Sequence, residues 1–460
     1  MNMPYHRATG DASTVARPSR LHLTRGQALV WGPLAQLLWL ACCLGAYVPV
    51  MREFAYSGFV VVTRPDVTQL VFAAVALLGL SFLLPRRLTS PADYVVVGLF
   101  SISVAPFYAY WFLAGQPWWQ GFLVTGYWCT VLLIDRFPFR SGIVRLKGTE
   151  QALFVVARGL VALGCVLILS EGQLTLKLSL ADVYTARAAW ASQIPHVSGY
   201  VFSWLAYAVL PILFAHAWRN RRFSEFVVLG FFAYMLFTST GQKSFLFMPM
   251  LVMAVVFLGA WHPGTSIVPM GLGVFVIAMV VLGSVTGSIM WVSLGIRRTL
   301  FVPAHLTSAY LKFFNVNPVI RLSDSILGRG WSVYPYPVPV PNMVGAAIGD
   351  PGVYANDGLL ADGFANFGLV GCFVWAVLLG ILIKFLRVAT ERREHLPEAW
   401  AVVASWPVVL LGSGLTTSLL THGLALGLVM VWALSAPGSG EHGSEEADSI
   451  SCSVNSDRAP

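Results

Sequence analysis

Long apolar runs recur along the whole chain and decide in which solvent it can fold. Runs long enough to cross a hydrocarbon layer of ~30 Å alternate with connections that are mostly short and polar. They lie near residues 27–50, 69–85, 93–115, 119–135, 151–170, 199–218, 224–240, 245–261, 267–295, 364–386, 399–416 and 418–436. The pattern predicts an all-α polytopic membrane protein with about twelve transmembrane helices.

The composition agrees with lipid as the surrounding solvent. Only 11% of the 460 residues are charged, whereas soluble proteins carry about a quarter. The net charge of +8 does not indicate a nucleic-acid partner, because the Lys and Arg residues stand at the ends of apolar runs. The cysteines form no CxxC pair, which argues against zinc ribbons and redox motifs. We expect no cofactor and no metal.

The distribution of positive charge orients the chain. With a cytoplasmic N-terminus, the inside segments hold 18 of the 29 Lys and Arg residues, and the outside segments hold 10, five of them in one long loop. The positive-inside rule therefore places both termini in the cytoplasm. This predicts an N-terminal segment 1–26, a transmembrane domain 27–436 with outside loops 171–198 and 297–363, and a disordered tail 437–460.

The long outside loop is the strongest indication of function. The ninth apolar run is expected to end at Arg297 and Arg298, and roughly 65 polar and aromatic residues follow, an unusual length for a structural connection. Within it, residues 303–314 predict an amphipathic helix on the outer membrane surface. Leu306, Tyr310 and Phe313 share its apolar face, while His305 and Lys312 share another.

Several cations are candidates for binding a phosphorylated ligand. Arg297 and Arg298 stand together, and an arginine donates two hydrogen bonds at once to a phosphate; contact with phospholipid headgroups is the alternative. Lys243 lies in a tight outside turn and either binds the same phosphate or reaches the membrane interface. Arg158 lies in mid-helix, where an ionisable group is either functional or paired for structural reasons.

The acids before the tenth apolar run are candidates for a general base. Asp357 and Asp362, with Asp350 upstream, are the acids near its outer start, and a carboxylate can deprotonate an acceptor hydroxyl there. Each of the first two precedes glycine, so a simple turn is the alternative. The proline-rich stretch 334–341 is expected to be extended, either as a strap over the outer face or as a stiff connector.

The order of these features resembles that of the bacterial oligosaccharide repeat-unit polymerases of the Wzy type, which make O-antigen and exopolysaccharide. The resemblance spans about residues 180–390. The stretches that carry it are Asp182-Val-Tyr-x-x-Arg187, Thr240-Gly-Gln-Lys-Ser244, Arg297-Arg298 with Phe301-Val-Pro-Ala304, Tyr310-x-x-Phe-Phe-x-x-Asn-Pro318 and Asp362-Gly-Phe-Ala-Asn-Phe-Gly-Leu-Val-Gly371.

The resemblance implies a metal-independent glycosyltransferase of GT-C-like architecture in the bacterial cytoplasmic membrane. It would join undecaprenyl-diphosphate-linked oligosaccharides among membrane lipids, together with a flippase and a chain-length regulator. The implied catalytic residues are Asp362, His305 and Asp357; the implied substrate-binding residues are Arg297, Arg298, Lys243, Tyr310, Arg158 and Arg187, with Tyr334 as a further stacking residue.

Three other functions remain open at this point. A ligase of the O-antigen type would share the lipid-linked donor and the large outer loop. A transporter or flippase of lipid-linked sugars would show short loops, internal symmetry and several charges in mid-membrane, whereas here Arg158 is the clear one. A scaffold for polysaccharide assembly would tolerate loss of the loop cations.

Overall fold

The structure, a computed structural model, describes residues 25–434 apart from 139–148, 171–195, 326–327, 329, 331, 351, 353, 357 and 392–395. Over these residues the chain forms helices and no strand, which confirms the all-α class. The helices are α1 (Arg25–Phe54), α2 (Val67–Phe82), α3 (Pro91–Leu113), α4 (Trp118–Arg136), α5 (Thr149–Ser170), α6 (His196–Trp204), α7 (Leu210–Arg219), α8 (Phe223–Thr240), α9 (Lys243–Trp261), α10 (Ile267–Thr286), α11 (Ile289–Val292), α12 (Val302–Val316), α13 (Val340–Ala347), α14 (Leu359–Thr390), α15 (Pro397–Val402), α16 (Trp406–Leu411) and α17 (Leu424–Leu434).

Eight helical segments of the described chain are long and apolar enough to cross a membrane, which supports a multi-pass membrane protein. They are α1, α3, α5, the joined pair α6 and α7, α8, α9, α10 and α14. Each of the twelve predicted runs coincides with helix, but the runs at α2, α4, α15–α16 and α17 do not qualify by length and hydropathy. For these four, membrane crossing stays a prediction.

Helix α3 is the centre of the bundle. In the most apolar 18-residue stretch of α3, 89% of the residues are buried inside the bundle. The corresponding value for α10 is 11%. Apolar side chains of α10 such as Val274, Ile277 and Val285 are exposed. An apolar helix surface of this kind suits lipid, so α10 lies at the periphery of the bundle and α3 in its interior.

Arginines bind one end of the bundle together. The guanidinium of Arg387 contacts the carboxylates of Asp93 at 2.6 Å and Asp135 at 2.8 Å, joining α14 to α3 and α4. Arg219 contacts the buried Glu398 at 3.0 Å, and Arg136 donates to the carbonyl of Phe82 at 2.9 Å. We call this the arginine end, defined by Arg136, Arg219 and Arg387.

The connections at the opposite end of the helices also contact one another. The amide of Val62 donates to the carbonyl of Leu113 at 3.0 Å, and the Trp204 indole donates to the carbonyl of Leu420 at 2.6 Å. We call this the cavity end, after the cavity described below.

Arg297 and Arg298 do not end a helix, so that prediction is wrong. The ninth run breaks earlier, at Gly287, whose φ of 63° is left-handed and ends α10. Ser288 then caps α11 by accepting a hydrogen bond from the amide of Met290 at 3.4 Å. Helix continues from there through a π-helical turn (Ser293–Phe301) into α12, so both arginines lie inside a helix.

The predicted loop 297–363 is therefore partly helical. Helix α12 ends at Val316, close to the predicted end, but its apolar face packs against α3 and α14. The tenth run starts at Leu359 and breaks at Phe367 and Gly368, where the backbone is non-helical. His196, placed in the loop 171–198, begins α6; the rest of that loop up to residue 195, and the segments 1–24 and 435–460, lie outside the described residues.

The proline-rich stretch agrees with its prediction up to Pro339. Residues 333–339 form no helix, and Val340 and Pro341 then begin α13, where a proline in the first turn lacks only a donor that would be unpaired there anyway.

Candidate active site

The break in α14 brings Asp362 to Trp375. In an unbroken helix, residues this far apart in sequence would be separated by about 20 Å along the axis. Because the chain turns at Phe367 and Gly368, the Trp375 indole instead donates a hydrogen bond of 2.8 Å to Oδ2 of Asp362. The part of α14 before the break thus folds back on the part after it.

Glycines allow this close return of the chain. A Cβ on Gly371 would lie 1.9 Å from the carbonyl oxygen of Gly363, so no side chain fits between the two segments. The glycines of the Asp362-Gly-Phe-Ala-Asn-Phe-Gly-Leu-Val-Gly371 stretch therefore serve the helix break, with Gly368 supplying a φ of 62°.

The carboxylate of Asp362 is fixed by three donors. Oδ2 accepts from the Trp375 indole and from the amide of Leu415, both at 2.8 Å. Oδ1 accepts from the side-chain amide of Asn366 at 3.0 Å. Gly414 lies directly against the carboxylate, because a Cβ there would be 2.8 Å from Cγ of Asp362. Oδ1 retains capacity to accept another hydrogen bond.

The helix break also anchors the loop that follows α12. Where a helix is interrupted, its last carbonyls lose their intrahelical donors. Here the amide of Ile320 donates to the carbonyl of Ala365 at 2.9 Å, and the amide of Arg321 donates to that of Asn366 at 3.2 Å. The amide of Leu322 donates to Oδ1 of Asn366 at 2.7 Å. This docking places Asp324 in the same cavity as Asp362.

A cavity of about 670 Å³ lies at the cavity end of the bundle, next to Asp362 and the docked loop. Its volume is typical of small-molecule sites, which span ~300–1,000 Å³. The described polar side chains of the lining are tyrosines, hydroxyls, amides and two carboxylates, without Lys, Arg or His: Tyr200, Tyr310, Ser323, Asp324, Ser325, Tyr334, Tyr336, Tyr354, Asn356, Asp362, Asn366, Thr416, Thr417 and Thr421.

Several of the tyrosines are held in place. The hydroxyl of Tyr310 donates to the carbonyl of Ala355 at 2.8 Å, and that of Tyr334 donates to the carbonyl of Val338 at 2.9 Å. Tyr336 lies between Tyr334 and Phe313, with ring centroids 5.9 and 5.8 Å away. Burial, with a smaller effect of the Asp324 carboxylate, raises the pKa of Tyr334 to about 12, so this phenol stays neutral.

No protein family, no curated protein and no solved structure matches this chain. The functional argument therefore rests on its own residues.

The structure brings together only part of the predicted site. Asp362, Tyr310 and Tyr334 line the cavity. Asp357 and Arg187 lie outside the described residues, so their roles stay predictions. The described cations and His305 lie elsewhere than in the cavity lining.

His305 lies in an aromatic environment of its own. Its Nδ1 is 2.9 Å from the hydroxyl of Tyr110, and its ring centroid is 5.2 Å from that of Phe59. A Cβ on Gly58 would lie 3.0 Å from Cε1, so the connection after α1 covers the imidazole. Burial, with a smaller effect of Lys312, lowers the pKa of His305 to about 4. A role as the base that meets substrate in the cavity is not supported by this position.

The described cations proposed as phosphate ligands differ in their surroundings. The guanidinium of Arg297 lies 4.2 Å above the ring of Phe54, whereas Arg298 is exposed. Lys243 begins α9 and is partly buried. Arg158 forms an ion pair of 2.8 Å with Glu225, which favours the structural alternative for this residue.

The segment between α16 and α17 was not predicted as part of the site. The sequence suggests two helices, 399–416 and 418–436, whereas the chain is irregular around Gly412–Gly414 and then forms a π-helical turn, Thr417–Thr421. Irregular backbone at this depth is tolerated where it lines a cavity. The hydroxyl of Ser413 lies 2.9 Å from Nε2 of His422. This contact joins the two ends of the segment whose Leu415 amide donates to Asp362.

Proposed function

We propose that this chain is a membrane glycosyltransferase that polymerises undecaprenyl-diphosphate-linked oligosaccharide repeat units at the outer face of the bacterial cytoplasmic membrane. The product is a surface or exopolysaccharide, and the architecture is of the GT-C type with twelve spans and cytoplasmic termini. A flippase supplies its substrate, and a chain-length regulator acts with it.

The observation that carries this proposal is a fixed carboxylate in a tyrosine-lined cavity at one end of a membrane bundle. Asp362 is held by three donors at a cavity rich in tyrosine, hydroxyl and amide groups. Sugars present hydroxyl edges and C–H faces, which suit such a lining. The arginine end lies opposite, and by the positive-inside rule this supports a cavity that faces the outer side.

In the proposed reaction, Asp362 is the general base. Oδ1 accepts the proton of an acceptor sugar hydroxyl, whose oxygen attacks the anomeric carbon of the lipid-linked glycan. The new C–O bond forms while the bond from that carbon to the diphosphate oxygen breaks, and the diphosphate leaves with the electron pair. A positioned base contributes about 10²–10⁴-fold to such a rate. Trp375 and the Leu415 amide hold Oδ2 and so direct Oδ1 toward the acceptor.

Deletion and complementation test the proposal. We expect deletion of the gene to leave single lipid-linked or capped repeat units, and the wild-type gene to restore long chains. Asp362→Asn removes the base with almost no change of volume and should not restore polymer. Asp350→Asn makes the same charge change at an exposed acid outside the cavity lining and should restore it.

Other outcomes point elsewhere. Long polymer in the deletion strain overturns the polymerase function. If that polymer is lipid-linked and unattached, the chain is a ligase; if single repeats accumulate on the cytoplasmic side, it is a flippase. Full restoration by Asp362→Asn, at equal protein amounts in the membrane, refutes the role of this carboxylate while leaving polymerisation intact.

A further inference from the structure

The charge of the described cavity lining differs from that expected for a diphosphate site. Asp324 and Asp362 both line it, and its described lining contains no Lys, Arg or His. The described cations that the sequence suggested for diphosphate, namely Arg297, Arg298 and Lys243, lie outside the lining. Among the described residues, a ligand in this cavity therefore meets two carboxylates and neutral dipoles.

Carboxylates select ligands by the hydrogen bonds that they can accept. An ionised carboxylate has acceptors only, so it binds hydroxyl or ammonium donors and repels another carboxylate or a phosphate. Asp324 is carried by the loop docked on the helix break, and Asp362 is fixed by its three donors. The Asp362 carboxylate is therefore held beside a bound ligand, and the docked backbone keeps the exposed Asp324 at the cavity, so an anionic ligand would meet both negative charges.

The aromatic part of the lining suits uncharged ring faces. Tyr310 and Tyr334 are fixed by hydrogen bonds from their hydroxyls to backbone carbonyls, which leaves the rings as rigid apolar walls. Tyr354 at the edge is 59% exposed, so the cavity reaches the surface and admits a ligand larger than its volume.

From these observations we propose that the cavity is the acceptor-sugar site and that it selects uncharged or amino sugars against uronic acids and other anionic sugars. The diphosphate of the lipid carrier, bonded to the anomeric carbon that the acceptor oxygen attacks, then lies at the edge of this cavity, beyond its described lining. The proposal rests on the function proposed above, but it concerns the charge class of the sugar at one site.

Binding measurements on the purified full chain in lipid nanodiscs test it. The probes are three tetrasaccharides: N-acetylglucosamine tetramer (neutral), glucosamine tetramer (cationic) and tetragalacturonate (anionic). We expect the neutral and cationic probes to bind at least roughly tenfold more tightly than the anionic one, since like charges that meet at a binding site are costly even when salt screens them. Lower ionic strength should widen the difference.

Charge-neutralising variants identify the source of the selectivity. Asp324→Asn and Asp362→Asn should each raise the affinity for tetragalacturonate relative to the neutral probe by several-fold. Asp350→Asn changes the net charge equally outside the lining and should leave the ratio unchanged. A folded protein is verified for each variant by its size-exclusion profile and thermal melting.

Three results overturn the proposal: the anionic probe binds as tightly as the neutral one, Asp350→Asn shifts the ratio as much as the cavity variants do, or none of the probes binds. These results are independent of the deletion phenotype. If deletion abolishes polymer but anionic sugar binds well, the selectivity is wrong and the polymerase stands. If the charge order holds but deletion leaves polymer intact, the cavity binds sugars in a protein of another function.

Discussion

Replacing Gly414 with alanine tests whether the segment between α16 and α17 positions the proposed base. A methyl group at this position would lie 2.8 Å from Cγ and 2.9 Å from both carboxylate oxygens of Asp362. Non-bonded carbon atoms prefer a separation of ~3.5–4.0 Å. The carboxylate, or the segment, must therefore move by about 0.7 Å or more.

That displacement weakens the bonds that fix the base. The hydrogen bonds from Trp375 and Leu415 measure 2.8 Å each, and they would lengthen toward ~3.5 Å, where such bonds are weak. Loss of most of two such bonds costs about 1–3 kcal/mol of stability. The effect on rate is larger, because misplacement of a reacting group by about 1 Å can cost 10²-fold.

The assay is polymer formation from lipid-linked repeat units in membrane vesicles at matched protein amounts. We expect Gly414→Ala to lower the rate by about 10–100-fold while the protein stays folded. Gly412→Ala is the matched control, because its Cβ would meet nothing closer than the carbonyl oxygen of Val408 at 3.8 Å, and its φ of −116° suits alanine. An unchanged rate in Gly414→Ala, or an equal loss in Gly412→Ala, would refute the reasoning.

Three further predictions concern residues away from the cavity. Arg387→Ala leaves the carboxylates of Asp93 and Asp135 without their cation and should destabilise the protein by about 3–5 kcal/mol, measured by thermal unfolding in detergent; an unchanged melting temperature contradicts it. The pKa of His305 is lowered to about 4, against ~6.5 unfolded, so its contribution to stability is complete above pH 6.5 and is lost as the pH falls toward 4. His305→Gln should therefore melt with less pH dependence between pH 7.5 and 5 than the wild type, and equal dependence refutes the assignment. For Arg158 and Glu225, the double variant Arg158→Met/Glu225→Leu should be less destabilised than the sum of the two single variants, whereas strict additivity of the melting shifts would mean that the pair does not interact.

The parts of the fold that depend on local sequence could be predicted. The apolar runs gave helices where expected, because each run must satisfy its own backbone hydrogen bonds in lipid. Pro318 marked the end of α12 correctly, since proline disfavours continuation of a helix, whereas Pro303 does not open one because helix already runs into it from Ile289. Asp362 was found because it is an acid at the edge of an apolar run.

The features that build the cavity depend on contacts between distant residues. The break at Phe367 and Gly368 lies in an apolar stretch that suits a continuous helix. It is stabilised by donors from Ile320 and Arg321, which no local pattern connects to the carbonyls of Ala365 and Asn366. The glycines of that stretch carried the signal, but their pairing across a turn appears only when the chain is folded.

Adjacency in sequence did not give Arg297 and Arg298 the same surroundings. Successive residues of a helix point about 100° apart, so Arg297 reaches Phe54 inside the bundle while its neighbour Arg298 is exposed. A pair of cations at a helix end can converge on one anion, but a pair within a helix faces different surroundings. The predicted helix boundary is wrong, while the phosphate-binding role of these arginines stays a prediction.

A row of polar residues in an apolar run is the signal that would have located the part of the cavity lining between α16 and α17. Ser413, Thr417 and Thr421 recur every four residues, with Thr416 beside the second of them, between Gly412 and Gly423 and within two runs otherwise suited to lipid. One polar face on a membrane helix lines either another helix or a water-filled space, and several hydroxyls in register favour the second. In the middle of α5, by contrast, Arg158 is a single charge, and one partner, Glu225, satisfies it directly. A single partner residue cannot satisfy a row of hydroxyls, whereas it can satisfy one charge. A row of polar residues in an apolar run therefore indicates the lining of a cavity, and a single charge indicates an ion pair.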